Sequence, residues 1–317
     1  MSGSKFSVVI PNWNGRRFLA ACLKSLQEQT YTDIEIIVVD NASDDGSQAL
    51  VREGFPQVRL ITLSENRGFT GACNIGMQAA SGDIIALLNN DTEADVNWVN
   101  AIVEGFCNHQ EVGMVASKML LFDRRDHFHT AGDTFATDGS AGNRGAWERD
   151  VGQYDRAEYV FGACGGAAAY RKSMLDDIGL LDDDFFFLLE DVDLAWRAQL
   201  AGYKALYVPS AVVFHHLSAS GGGVTASYYD GRNSIWVLVK NMPGALMRKY
   251  APRILGRQAS LAWQALRAWR GAEARARLRG TVRGLLTVGS AIRKRRQIQG
   301  SKVVADAYID SILSPPK

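Results

Sequence analysis

A mostly parallel α/β sheet covered by helices on both faces is the fold class that the N-terminal part of the chain predicts. Its short β-branched runs are apolar throughout instead of alternating, which marks strands buried on both sides. Segments with apolar residues at three- and four-residue spacing separate them, as amphipathic helices would. Clusters of Asn, Asp and Gly stand where each strand should stop.

The strands are read at FSVVIP (Phe6–Pro11), IEIIVVD (Ile34–Asp40), VRLITL (Val58–Leu63) and DIIALLN (Asp83–Asn89). Helices are predicted near Arg16–Gln29, Asp44–Arg52 and Gly68–Ala80. In the first, Phe18, Leu19, Cys22, Leu23 and Leu26 share one face. A fourth helix follows at Trp98–His109. From Lys118 to Asp155 the pattern is less regular, and GDTFATDGSAGNRG (Gly132–Gly145) reads as hairpins or a mobile loop. The small residues of YVFGACGGAAAYRKS (Tyr159–Ser173) permit close backbone approach to a ligand or a neighbouring element. A helix over Glu190–Ala201 has Gly202 as its stop. One strand or two run through Ala205–Val208 and Val212–His216.

With 317 residues the chain can bury a sizeable core in one domain or two. A composition of 47% hydrophobic and 22% charged residues is that of a globular protein. Cys22, Cys73, Cys107 and Cys164 show neither CxxC nor a zinc pattern, so reduced thiols in a cytosolic setting are expected. The start MSGSKFSVVIPNW lacks the apolar run of a signal peptide, and no window has the apolar length of a membrane span. The net charge of +1 hides an asymmetry. Lys240–Lys302 holds 16 Lys and Arg against one acid, Glu273, a net +15. The remainder holds 19 basic against 33 acidic residues, a net −14.

In a parallel sheet ligands bind beyond the carboxyl ends of the strands. Those ends are PNWNG (Pro11–Gly15), DNASDDGS (Asp40–Ser47), ENRGFTGACNIG (Glu65–Gly76) and NNDT (Asn89–Thr92). Each alone fits a turn or a helix cap; four at one edge suggest a site. GxxxxGK[ST] is absent and no GxGxxG follows the first strand, which argues against a P-loop ATPase and a common dinucleotide fold. Asp40, Asn41, Asn66 and Asn74 offer hydrogen bonds to a base and ribose. Asp91 offers a carboxylate to a hard cation whose other ligands are diphosphate oxygens and water.

In order, PNWNG, VVDNAS, ENRGFTGACNIG, LLNNDT, FFFLLEDVDLAWR and FHHLSAS resemble the family 2 glycosyltransferases of the GT-A fold, most of all their bacterial rhamnosyltransferase-type branch. The likeness spans about Phe6–Lys240. It implies a Rossmann-like, mostly parallel central sheet flanked by helices, as a domain over residues 1–240. A basic helical extension follows over residues 241–317. It also implies inverting transfer of a sugar from a nucleoside diphosphate donor, with dTDP-L-rhamnose suggested by the branch. The acceptor would be a glycan or lipid-linked hydroxyl in cell-surface polysaccharide synthesis. By position, Pro11, Asn14, Asp40 and Asn41 match the family's donor-base and ribose edge. Asn66, Gly68 and Asn74 match its second nucleotide loop, and Asn90 joins the nucleotide-sugar set. Asp91 matches the last aspartate of the metal-binding DxD, whose first position here is Asn89. Mg²⁺ or Mn²⁺ is the implied cofactor, with Asp91 and His215 as its ligands.

The segment FFFLLEDVDLAWR (Phe185–Arg197) has two readings: an acidic first helical turn, or a catalytic carboxylate kept dry by aromatics. The resemblance makes Asp191 the base that takes the acceptor's proton. Glu190 then binds the acceptor or orients the base, and Asp193 pairs with Arg197 along the helix. Burial and Glu190 raise the pKa of Asp191 while a helix N-terminus lowers it, so the net sign stays open. His215 and His216 must face opposite sides of a strand. The loop with Trp147 is either an exposed hairpin or an acceptor cover. In the basic tail, Pro252 and the glycines at 256, 271, 280 and 284 suggest two or three short amphipathic helices. Such helices lie on anionic membranes, here the cytoplasmic face, or pack on the domain or in a homodimer. No nucleic-acid motif accompanies the charge. Other readings keep the fold and change the sugar to a hexose, galactofuranose or N-acetylhexosamine. Further ones make the chain a nucleotidyltransferase or a non-catalytic nucleotide-binding scaffold.

Overall fold

The computed structural model describes residues 4–217 and 222–316. Ser218–Ser220 of the FHHLSAS segment lie outside the described residues. The strands are β1 (Phe6–Asn12), β2 (Ile34–Asp40), β3 (Arg59–Thr62), β4 (Ile84–Leu88), β5 (Thr92–Ala94), β6 (Val112–Leu121), β7 (Phe128–Thr130), β8 (Asp133–Phe135), β9 (Ala141–Asn143), β10 (Glu158–Val160), β11 (Ala167–Arg171) and β12 (Lys204–His215). Helices in the N-terminal part are α1 (Arg16–Gln27), α2 (Ser47–Gly54), α3 (Gly68–Ala79) and α4 (Trp98–Asn108). They are followed by α5 (Lys172–Ile178), α6 (Glu190–Leu200), α7 (Gly223–Asn241), α8 (Gly244–Arg267), α9 (Ala272–Leu286), α10 (Val288–Gly300) and α11 (Asp306–Ile312).

The main sheet runs β10-β12-β6-β11-β4-β1-β2-β3. Its β3-β2-β1-β4 half is parallel; β11 enters antiparallel between β4 and β6, and β12 lies parallel to β6. Successive residues of β1 feed opposite faces. Val9 joins α3 and α6 in one core, whereas Phe6, Val8 and Ile10 join α1 and α4 in the other. Side-chain alternation along a strand sorts them. The expected hairpin is β8–β9. The two apolar runs near the end of the domain form the single strand β12, whose register shifts between Val208 and Val212 around Pro209.

Two elements carried too little local signal to be expected. Strand β6 is buried along all ten residues but is interrupted by Gly113, Ser117 and Lys118. Helix α7 is rich in Gly, Ser, Thr, Tyr and Val, which are weak helix formers, and tertiary packing holds it. The C-terminal segment also differs from the division expected at proline and glycine. Pro252 sits inside the unbroken α8. Pro252 and Arg248 are both exposed, so the carbonyl that loses its N–H partner stays hydrated. Gly280 and Gly284 lie inside α9, where they let its backbone touch α7. Leu246, Tyr250 and Ile254 of α8 belong to the same core as Val9 and Trp196.

Candidate active site

At the carboxyl ends of β1 and β2, Asn12 ties three loops together. Its Nδ2 donates to Asp40 Oδ2 at 2.9 Å and to Ser43 Oγ at 3.2 Å, while its Oδ1 accepts from Asn90 Nδ2 at 2.7 Å. Asp40 is fully buried; its Oδ1 also accepts from Ser43 N and Gln48 Nε2. Asn41 reaches the next loop: Nδ2 donates to Asn66 Oδ1 (2.9 Å) and Gly68 O (3.0 Å), and Oδ1 accepts from Arg67 N. Pro11 is buried in β1 beside Val39. Asn14 adopts φ 52°, a left-handed conformation that Asn tolerates, and accepts from Asp44 N. Gly15 is required by closeness: a Cβ there would lie 2.0 Å from Asn90 Nδ2.

These residues form one polar lattice, and Asn74 stands apart from it. Its amide donates to Leu181 O and Asp183 Oδ1 and accepts from Leu181 N, which pins α3 to the chain ahead of α6.

Beyond β4, Asp91 is 2% exposed. Its Oδ1 lies 3.1 Å from His215 Nε2, and Asn89 Nδ2 lies 3.5 Å from the same nitrogen. His215 Nδ1 faces His129 Nδ1 at 3.0 Å. Burial, then the neighbouring His215, lowers the pKa of His129 to about 3, so that imidazole is neutral. His216 turns the other way and stacks on Phe122, with centroids 3.6 Å apart. Among the described residues no three or more His, Cys, Asp or Glu side chains gather as a metal cluster.

Glu190 and Asp191 open α6. Asp191 Oδ2 accepts from Gly165 N and Oδ1 from Val192 N, each at 2.8 Å. The next residue, Gly166, accepts from Asn89 N at 2.9 Å. Adjacent glycines thus bridge the Asp191 carboxylate and the turn carrying Asn89 and Asp91. Burial raises the pKa of Asp191 against the lowering by those two N–H groups; the sign left open by sequence is upward. Glu190 is raised too, through burial and then through Asp191, and its Oε2 is buried with no hydrogen-bond partner. Asp193 moves the opposite way. Burial alone would raise it, but Lys240 and Arg197 outweigh that, binding it at 2.8 and 2.9 Å, with Asn241 Nδ2 at 2.8 Å.

The loop before Glu190 is strained. Phe186, Leu188 and Leu189 have φ of 65°, 66° and 66°, in a region that costs about 1–3 kcal/mol for a non-glycine residue. α7 holds it there. Asn233 is fully buried, and its Nδ2 lies within hydrogen-bond distance of the carbonyls of Phe185 (3.2 Å), Phe187 (2.9 Å) and Leu188 (2.7 Å). Arg232 Nη2 donates to Asp184 O and Phe185 O at 2.6 Å. On the other side a Cβ at Gly68 would sit 2.4 Å from Phe186 O, so glycine allows the nucleotide-side loop to meet this one. Asn12, His129, Gly165, Arg232 and Asn233 were not singled out in the sequence. Only Asn12 and Gly165, at a strand end and in a glycine pair, carried a local signal.

Residues 7–179 match Glycosyl transferase family 2. An L-rhamnosyltransferase of Mycobacterium tuberculosis that acts on N-acetylglucosaminyl-diphospho-decaprenol is 27% identical over 235 residues, 67% of this chain and 75% of that one. An uncharacterised glycosyltransferase of Nostoc sp. is 35% identical over 114 residues, 35% of each chain. GalNAc-T7, in a crystal structure with UDP, GalNAc and Mn²⁺, shares the fold with a TM-score of 0.71 at 14% identity. The match covers 98% of this chain and 56% of that one. The chain belongs to glycosyl transferase family 2, and its fold is GT-A.

Proposed function

We propose that this glycosyltransferase moves a sugar with inversion from a nucleoside diphosphate to a hydroxyl of a glycan or lipid-linked acceptor, in the making of a bacterial surface polysaccharide. The single observation carrying this is the Gly165–Gly166 bridge, which puts the Asp191 carboxylate against the turn bearing Asp91. Asp191 takes the acceptor's proton as its oxygen attacks the anomeric carbon and the bond to the diphosphate breaks. Two backbone N–H groups fix its carboxylate for that step. Burial and the neighbouring Asp191 push the Glu190 carboxyl up, and its buried Oε2, which has no hydrogen-bond partner in the protein, is offered to the acceptor. The lattice of Pro11, Asn14, Asp40, Asn41, Asn66, Gly68 and Asn90 receives the base and ribose. Asn74 supports that edge from behind. Residues 1–240 supply the transferase domain, and 241–317 form the helical extension.

Asp91 and His215 would hold Mg²⁺ or Mn²⁺. A buried carboxylate beside an imidazole suits Mn²⁺ in particular, with diphosphate oxygens as further ligands. When bound there, such an ion would supply positive charge to offset that developing on the leaving diphosphate. L-Rhamnose from dTDP-L-rhamnose is the proposed donor sugar. Its support is the relative named for that transfer.

Thermal melting with dTDP, UDP, GDP or CMP, each with and without Mn²⁺ or Mg²⁺, tests this. A nucleotide at 100 times its Kd adds about 2.7 kcal/mol of stability. A rise with dTDP, enlarged by metal, is expected. A rise with UDP or GDP alone replaces the sugar, and no rise with any nucleotide overturns the donor site.

A further inference from the structure

The C-terminal helices carry a surface that the transfer chemistry does not use. α9 packs on α7 through glycines: a Cβ on Gly280 would lie 1.9 Å from Tyr228 O, and one on Gly231 2.4 Å from Arg277 O. That contact buries Ala276, Gly280 and Gly284 and so fixes which side of α9 turns outward. Outward lie Val282, Leu285 and Leu286, the last 76% exposed. Arg275, Arg279 and Arg283 flank them at four-residue spacing. The end of α8 and the turn after it repeat the composition, with exposed Trp263, Leu266 and Trp269 among Arg267 and Arg270. Arg275 Nη1 donates to Trp269 O (3.0 Å) and Arg270 O (2.6 Å), which joins the two stretches.

The arginines divide by face. Arg277 and Arg257 meet Asp230 and Asp138. Among the described residues Arg267, Arg270, Arg275, Arg279 and Arg283 make no ion pair with a carboxylate. A solvated face would need the charges but not the tryptophans and leucines between them. A second copy would bring arginines against arginines across a two-fold interface. A nucleic acid would match the arginines and leave Val282, Leu285 and Leu286 against phosphate. An anionic bilayer satisfies both halves, because arginines reach phosphate headgroups while Trp and Leu enter the acyl boundary.

We propose that the outward face of α8 and α9 docks on an anionic lipid bilayer. Docking there also sets the site's orientation, since α9 seats on α7 and α7 holds the loop ahead of Asp191. The surface stands on its own residues and does not depend on which donor the site takes.

The test is flotation of the full chain with vesicles of phosphatidylcholine alone or mixed with phosphatidylglycerol, across a salt series. Binding to the mixed vesicles only, weakened by salt, is expected. The double variant R279E/R283E should bind at least about 30-fold more weakly, the equivalent of about 2 kcal/mol for two charges near the surface. L286S should weaken binding while keeping its salt dependence. Flotation of wild type and R279E/R283E alike, flotation with neither vesicle, or a dimer in light scattering that L286S abolishes would each overturn the proposal. Melting with and without nucleotide on the same variants checks folding and reads the donor site separately.

Discussion

Replacing Asn233 with alanine tests whether α7 sets the geometry of the transfer site. The side chain is fully buried and its two N–H bonds are shared among three carbonyls of the strained loop. Phe185 O keeps Arg232 Nη2, but the part-buried carbonyls of Phe187 and Leu188 lose their donor at about 1–3 kcal/mol each, so N233A should lose about 2–6 kcal/mol of stability. Three non-glycine residues at positive φ then lack a restraint, and relaxation of the loop moves Asp191, which starts the next helix. A misplacement of about 1 Å costs roughly 100-fold in rate. Nucleotide affinity should hold, because the Asn12–Asp40–Asn41 lattice is built from β1, β2 and the loop before α3. The assay pairs chemical denaturation with steady-state kinetics at saturating donor. Stability falling as stated with kcat unchanged would refute the positioning role and leave Asn233 as packing alone. N233D keeps the volume and removes the donors, and should behave like N233A in kcat.

Asp191→Asn should keep nucleotide-dependent thermal stabilisation and lower kcat about 10²–10⁴-fold, the range of a general base; unchanged function would favour a scaffold. Because the Asp191 pKa is raised above its ordinary 3.8, log kcat/KM should fall with unit slope as pH drops through that raised value. Glu190 is also pushed up, by burial and by Asp191, but it is not the base, so Glu190→Gln should keep an acid limb in the pH profile and change the acceptor KM; loss of that limb counts against the assignment. Asp182 is depressed to about 2, since Lys240 and Lys294 outweigh the effect of burial. Its stabilising contribution of about 2 kcal/mol is present above pH 3.8 and lost as pH falls toward 2, which acid unfolding of wild type against Asp182→Asn will read. Lys240→Met leaves Asp193 and Asp182 buried beside an apolar chain, and should cost about 3–5 kcal/mol in denaturant melts at pH 7.

β1 to β4 and the helices between them were legible because their signals are local. Apolar runs, helical spacing and a polar residue at each strand end all lie within one element, and the Asp193–Arg197 pair is one helical turn. The loops that gather at the sheet edge were legible for the same reason, since parallel topology puts strand ends together. Sequence composition also set the split between an acidic body and a basic C-terminal segment.

Only the tertiary structure decided the rest. Asn233 acts on residues 45 to 48 positions away, a separation at which no periodicity carries information. Whether a glycine breaks a helix or lets two helices touch depends on the neighbour, as Gly280 against Tyr228 shows. The sign of the shift at Asp191 required both its burial and the Gly165 N–H, brought in from another strand's approach. Which arginines of the basic segment are paired depends on the face that α7 covers. Chemistry within an element is written in neighbouring residues, whereas pairing between elements is fixed by the packing of the whole chain.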